Sequence, residues 1–261
     1  MRIPMYQIDA FTSEVFAGNP AAVCVLQEWL DDSLLLAIAA ENNLSETAFL
    51  VRNADGFEIR WCTPMVEVRL CGHATLASAY VVFNHLNWPH TQVRFTTRES
   101  GDLLVHQRDG LLEMDFPARP PSEQVELPAL GDALGVVPES VWRSEEDVLV
   151  VVGDEQRVRQ LEPDFASLAR VESRGVIVSA RGRQCDFVSR FFAPCVGIPE
   201  DPVTGSAHCV LVPYWADCLA KRGLHALQVS QRGGELFCQD RGERVSIAGN
   251  AVAYLEGALL L

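Results

Sequence analysis

The stretch LCGHATLASAYVVF, residues 70–83, opens with a cysteine, a glycine and a histidine, then runs for ten residues without a charge. Such a run has no polar face to offer water, so it predicts a helix buried on every side. The glycine at its mouth predicts a tight passage from strand to helix. Residues 204–215, TGSAHCVLVPYW, repeat the device with Gly205 in the place of Gly72.

Aligning the chain with itself at an offset of 130 residues extends the repeat. Phe57, Arg60 and Pro64 of GFEIRWCTP fall on Phe187, Arg190 and Pro194 of CDFVSRFFAP, and Glu46 falls on Val176. The second copy carries about three more residues between its proline and its helix, so Cys71, Gly72 and His73 face Thr204, Gly205 and Ser206.

The hydrophobic patterns follow in the same order in both halves. The first half reads as strand IPMYQIDAF, helix DDSLLLAIAAENN, strands TAFLVR and FEIRWC, the buried helix, then strands QVRFTT, LLVHQ and LLEMDF. The second reads as DVLVVVG, a helix over PDFASLARV, GVIVSA, CDFVSRFF, the helix after Gly205, then LQVSQ, ELFCQ and RVSIAGNAVAYLEG. The proline-rich ARPPSEQVELPALGDALGVVPES between them predicts a linker. The expected fold is α+β: two pseudo-symmetric lobes, residues 1–117 and 146–261 joined by a linker over 118–145, each a β-barrel-like sheet wrapped around a central helix. Symmetry would bring the two glycine-led helix starts to a shared cleft.

Composition narrows the function. A chain of 261 residues that is 48% hydrophobic buries a sizeable core. Its net charge of -14 and lack of a Lys/Arg cluster argue against a nucleic-acid partner. No apolar stretch reaches the roughly 18 residues of a membrane span and no signal-peptide pattern opens the sequence, so a cytoplasmic location is expected. The eight cysteines are scattered without a C-x-x-C pair, which favours reduced, buried thiols over disulfides or a zinc site.

In so acidic a chain an anionic ligand needs local dipoles to hold it. Helix N-termini supply them through unpaired N–H groups, and Gly72 and Gly205 would let a carboxylate come close. Asp201, in EDPVTGSAH, brings an acid to the second helix start, though Asp before Pro is also ordinary turn chemistry. Glu46, in NNLSETAFL, is an ionisable group in one copy only; in apolar surroundings its pKa would rise and suit it to give and take protons, whereas exposed it would merely cap. His73 adjoins the anion-binding amides and either polarises substrate or satisfies the backbone. A two-thiol racemase needs a cysteine in each half; Cys71 is matched by Thr204, so that machinery is incomplete.

QIDAFTSEVFAGNPAAV, LSETAFL, RWCTP followed by EVRLCGHATLASA, and EDPVTGSAH occur in an order that resembles the phenazine-biosynthesis PhzF-like family of isomerases, over nearly the whole chain. The resemblance implies the diaminopimelate epimerase-like fold and an active site between the lobes. It implies Glu46 as general acid/base, His73 and Asp201 as groups that bind and orient substrate, and a substrate site around Gly72, Thr204, Gly205 and Ser206. It further implies chemistry without cofactor or metal, and a homodimer. Where the phenazine branch has proline after G-H, this chain continues A-T-L, and the substrate does not carry over.

The leading expectation is therefore a cofactor-independent isomerase that moves a proton between carbons of a small carboxylate-bearing substrate. The alternatives are a racemase or epimerase using Cys71, and a non-catalytic small-anion-binding protein on the same scaffold.

Overall fold

A computed structural model describes residues 1–261. The chain forms two compact units, Met1–Asp115 with Ala248–Leu261, and Phe116–Ile247.

In the first unit β1 (Arg2–Ala10) lies between the antiparallel β2 (Asn19–Leu26) and the C-terminal strand Ala251–Leu260. Helix α1 (Asp32–Asn42) crosses over to β3 (Glu46–Arg52), which runs parallel to β2. A hairpin leads to β4 (Phe57–Cys62), then to the short β5 (Glu67–Val68) and α2 (Gly72–His85). β6 (Gln92–Thr96) returns parallel to β4, and β7 (Asp102–Arg108) and β8 (Leu111–Pro117) continue antiparallel. α2 packs against β1, β2, β3 and the C-terminal strand, and every residue from His73 to Ala79 is buried. The small side chains Ala74, Ala77 and Ala79 let the sheet close around it, as the charge-free run predicted.

The second unit repeats this order. β9 (Glu123–Gln124), α3 (Pro128–Leu134) and β10 (Ser140–Arg143) precede β11 (Asp147–Val151). α4 (Glu155–Arg159) and α5 (Phe165–Leu168) cross over to β12 (Gly175–Arg181), parallel to β11. Next come β13 (Phe187–Ala193), a 3-10 turn, β14 (Ile198–Asp201) and α6 (Gly205–Leu219). β15 (Gly223–Gln228) returns parallel to β13, followed by β16 (Gly234–Asp240) and β17 (Arg244–Gly249). The C-terminal strand is β18. No helix is long and apolar enough to cross a membrane.

The structure differs from the sequence reading in four places. Residues 118–145 are not a free linker: Leu130, Ala133, Leu134 and Val141 are buried in the second unit's core, so the proline-rich composition marks turns between short elements. Residues 251–260 do not stay with the second half, because β18 pairs along the whole of β1. The helix expected over PDFASLARV shrinks to α5, with Asp164 as its N-cap, and α4 precedes it.

The fourth difference concerns register. The β3–β4 loop has four residues, 53–56, and the β12–β13 loop has five, 182–186. With Arg60 and Arg190 superposed, Phe49 opposite Arg60 matches Val178 opposite Arg190, so Glu46 corresponds to Gly175 and not to Val176. One residue of slip changes the face a side chain occupies. A Cβ on Gly175 would lie 2.2 Å from Cζ of Phe191, so an aromatic ring fills the space a carboxyl would need.

Candidate active site

In the first unit β3 delivers Glu46 and the start of α2 delivers Cys71 and His73. Cys71 is the N-cap of α2, with extended backbone at φ -143° and ψ 110°. The reactive atoms of Glu46, Cys71 and His73 lie within 4.8 Å of one another. His73 Nε2 approaches Glu46 Oε2 to 3.2 Å, off the alignment of a hydrogen bond, while Nδ1 lies 3.5 Å from Cys71 Sγ and 3.2 Å from Asn19 Nδ2. These three could in principle ligate a metal, but thiol and carboxylate address opposite nitrogens of one ring. That arrangement suits proton movement better than a closed tetrahedral site.

Burial pushes His73 down to about 3, so the ring is neutral at ordinary pH and carries a single N–H proton. Glu46 is 12% exposed, accessible to a small molecule yet largely out of water.

The turn that places Asn19 is built for close approach. Gly18 has φ +63°, and a Cβ there would lie 2.2 Å from the carbonyl oxygen of Ala10. Buried Asp9 accepts the N–H of Phe16 at 2.9 Å and fixes the same turn.

In the second unit Asp201 ends β14 and Thr204 caps α6, also in extended conformation. Thr204 Oγ1 donates to Asp201 Oδ2 at 2.6 Å. Gln228 of β15 holds the loop from behind: its Oε1 accepts the Thr204 N–H at 2.8 Å and its Nε2 donates to the Asp201 carbonyl at 2.8 Å. Ser206 Oγ accepts from Arg174 Nη2 at 3.1 Å, and Arg174 forks onto both oxygens of buried Asp147. Burial pushes the Asp147 carboxyl up, and Arg174 offsets part of that shift.

A matched clamp sets the approach to each helix. Arg60 forks onto Glu67 at 2.8 and 2.6 Å, and Arg190 onto Glu200 at 2.7 and 2.9 Å. Each pair ties a strand to the short strand that launches the buried helix, which explains why Arg60 and Arg190 recur in the sequence.

Within the first unit the structure thus gathers Glu46, Gly72 and His73, and within the second Asp201, Thr204, Gly205 and Ser206. Sequence reasoning missed Asn19, Gln228 and the Arg174–Asp147 pair. The Gly18–Asn19–Pro20 turn was a usable signal for the first; the others lie far along the chain from the helix starts and carry no local pattern.

The profile of the family described as Phenazine biosynthesis-like protein, PhzC-PhzF, matches residues 8–257. The chain belongs to this family. A Pseudomonas aeruginosa protein named an uncharacterized isomerase is 54% identical over 261 residues, covering all of both chains. A PhzF family crystal structure from Enterococcus faecalis, 44% identical, superposes with a TM-score of 0.98 over all of both chains. A hydroxyproline epimerase from Agrobacterium vitis is 10% identical and has a TM-score of 0.62, over 99% of this chain and 92% of its own. That likeness is one of fold, and it places the PhzF-like chain among the epimerase-like α+β folds. Relatives in the family carry the name isomerase.

Proposed function

We propose that this PhzF-like protein is a cofactor-independent isomerase that moves a proton between carbons of a small carboxylate-bearing substrate, with Glu46 as general acid/base. The observation that carries the reading is the Glu46 carboxyl, mostly shielded from water and 3.2 Å from a buried neutral imidazole.

As carboxylate, Glu46 takes a proton from a carbon activated by the substrate's carboxylate or an adjacent double bond, and the bonding pair delocalises into that system. The neutral acid then returns the proton to a second carbon. No electrons are lost or gained. The N–H groups at Gly72 and His73 bind carboxylate, favoured by the positive end of α2. Asp201 and Thr204 hold an amino or hydroxyl group. Acid/base catalysis of this kind contributes about 10² to 10⁴ in rate; positioning and electrostatics supply the remainder.

The test is a library of small carboxylates incubated in D₂O and followed by proton NMR. Deuterium entry at carbon that disappears in Glu46→Gln is the expected result; undiminished turnover by that variant would falsify the assignment.

A second reading has one supporting observation, the 3.5 Å approach of Cys71 Sγ to His73 Nδ1. It makes Cys71 the base of an epimerase and predicts loss of exchange on thiol alkylation and in Cys71→Ser. A non-catalytic anion-binding protein would instead show saturable carboxylate binding with no deuterium entering any carbon.

A further inference from the structure

We infer that Asn19 is a positioning residue that fixes the tautomer of His73 and, through it, holds Glu46 at rest as the carboxylate. The inference rests on the reading of Glu46 as acid/base and says which of its two protonation states begins the cycle.

The argument starts from what each atom can do. An amide nitrogen only donates hydrogen bonds. Asn19, with no exposed surface, points its Nδ2 at His73 Nδ1 across 3.2 Å. Nδ1 must then offer its lone pair. Since the buried ring is neutral, its one proton sits on Nε2, the nitrogen that faces Glu46 Oε2. The positive end of an N–H dipole 3.2 Å from a carboxylate oxygen favours the charged form by electrostatics, even out of hydrogen-bond alignment, whereas a lone pair at that distance disfavours it.

The opposite setting is equally simple to write. An acceptor in the place of the Asn19 nitrogen would draw the ring proton to Nδ1, leaving Nε2 a bare lone pair toward Glu46. That lone pair would hold Glu46 protonated, an acid instead of a base.

Cys71 follows the same switch. With Nδ1 as acceptor and already facing the Asn19 amide, the ring has no lone pair left there to take the proton of the Cys71 thiol at 3.5 Å. Asn19 therefore sets the carboxylate as base and the thiol as bystander at once. Its own placement depends on the Gly18 turn, where φ +63° and the Ala10 carbonyl allow no side chain. The sequence Gly18–Asn19–Pro20 thus reaches His73 from more than fifty residues away.

The test needs no substrate, which separates it from the test of Glu46. Protein labelled with ¹⁵N-histidine is examined by long-range proton–nitrogen correlation between pH 6 and 8, the His73 signals being assigned by their loss in His73→Gln. The expected wild-type result is the Nε2–H tautomer; an Nδ1–H ring overturns the inference. Asn19→Asp, of the same shape but with only acceptors, is expected to move the proton to Nδ1. A ring that keeps Nε2–H in a folded Asn19→Asp also overturns it. Should that variant not fold, Asn19→Ala is expected to show a mixture of tautomers, and an unchanged Nε2–H preference there counts against the role. If the tautomer is as expected and Glu46→Gln still turns over, the fault lies with the acid/base assignment and not with Asn19.

Discussion

The two helix starts are built on one plan and equipped differently. Both follow a short strand clamped by a forked Arg–Glu pair, both have an extended N-cap, and in both a buried side chain four residues after the cap bonds back to its carbonyl. Thr75 Oγ1 donates to the Cys71 carbonyl at 2.6 Å, and His208 Nδ1 to that of Thr204 at 2.8 Å. The acids are exchanged between them. Glu46 corresponds to Gly175, and Asp201, opposite Phe191, corresponds to Val68, opposite Trp61. The scaffold and its clamps are therefore symmetric, while the carboxyls beside the two helix starts are not.

Amide-for-acid exchange on each side should break the comparison most sharply. Glu46→Gln is expected to slow deuterium exchange into a substrate by about 10²- to 10⁴-fold. Asp201→Asn, which loses a charge-assisted bond with Thr204, is expected to act chiefly on substrate affinity, by roughly ten- to hundredfold. Equal loss of turnover rate in the two would mean that the asymmetry is not functional.

The clamps come next. Removing one partner of a fully buried ion pair costs about 3 to 5 kcal/mol, an upper bound for the partly buried Arg190–Glu200 pair. Arg190→Met should approach that bound by urea unfolding, because it strands Glu200 and also the carbonyls of Val158 and Leu161, to which Arg190 Nη1 donates. Arg60→Met should cost less, since its second partner, Asp32, is 67% exposed and recovers water. The reverse order would show that the two clamps are not equivalent in the way their geometry implies.

A smaller effect is expected from acid. Burial pushes His73 to about 3 and His208 to about 4, both below the unfolded value of about 6.5. Below pH 6.5 the unfolded chain binds protons that the folded chain refuses, so stability falls as pH drops from 6.5 toward 4 and is flat above that window. Each histidine contributes about 1.4 kcal/mol per pH unit, or about 2 kcal/mol at pH 5. Replacing His208 by Gln should halve the slope measured by denaturant unfolding at pH 7, 6 and 5.

What the sequence disclosed follows from what is local. A charge-free helix led by glycine, and Arg60 repeated as Arg190, are visible along the chain, and both proved to be the scaffold. The partner of Glu46 in the second half was read one residue too far because a loop one residue longer, 182–186, leaves no trace in a match of identical letters. Gln228 and Arg174 were invisible for a related reason: each reaches the start of α6 from a strand or loop more than twenty residues away, and only the sheet brings them there. The C-terminal strand repeated the apolar alternation of its neighbours, and the pattern cannot say which unit β18 will join.

The mildest change is the one that makes the two caps alike. Cys71→Thr gives the first helix the residue that caps the second. Threonine tolerates the extended backbone at φ -143°, as Thr204 does at φ -118°, and where Val68 stands in place of Asp201 its hydroxyl has only the His73 side that the thiol now faces. If His73 Nδ1 is already committed to Asn19, removing the thiol takes away only a weak S–H contact at 3.5 Å. Deuterium exchange by Cys71→Thr should then stay within about tenfold of wild type, and alkylation of the wild-type thiol should harm it only by bulk. A loss as large as that of Glu46→Gln, on the order of 10²-fold or more, would move the proton chemistry from the carboxylate to the thiol. The first helix start would then differ from the second in its cap, and not in the acid beside it.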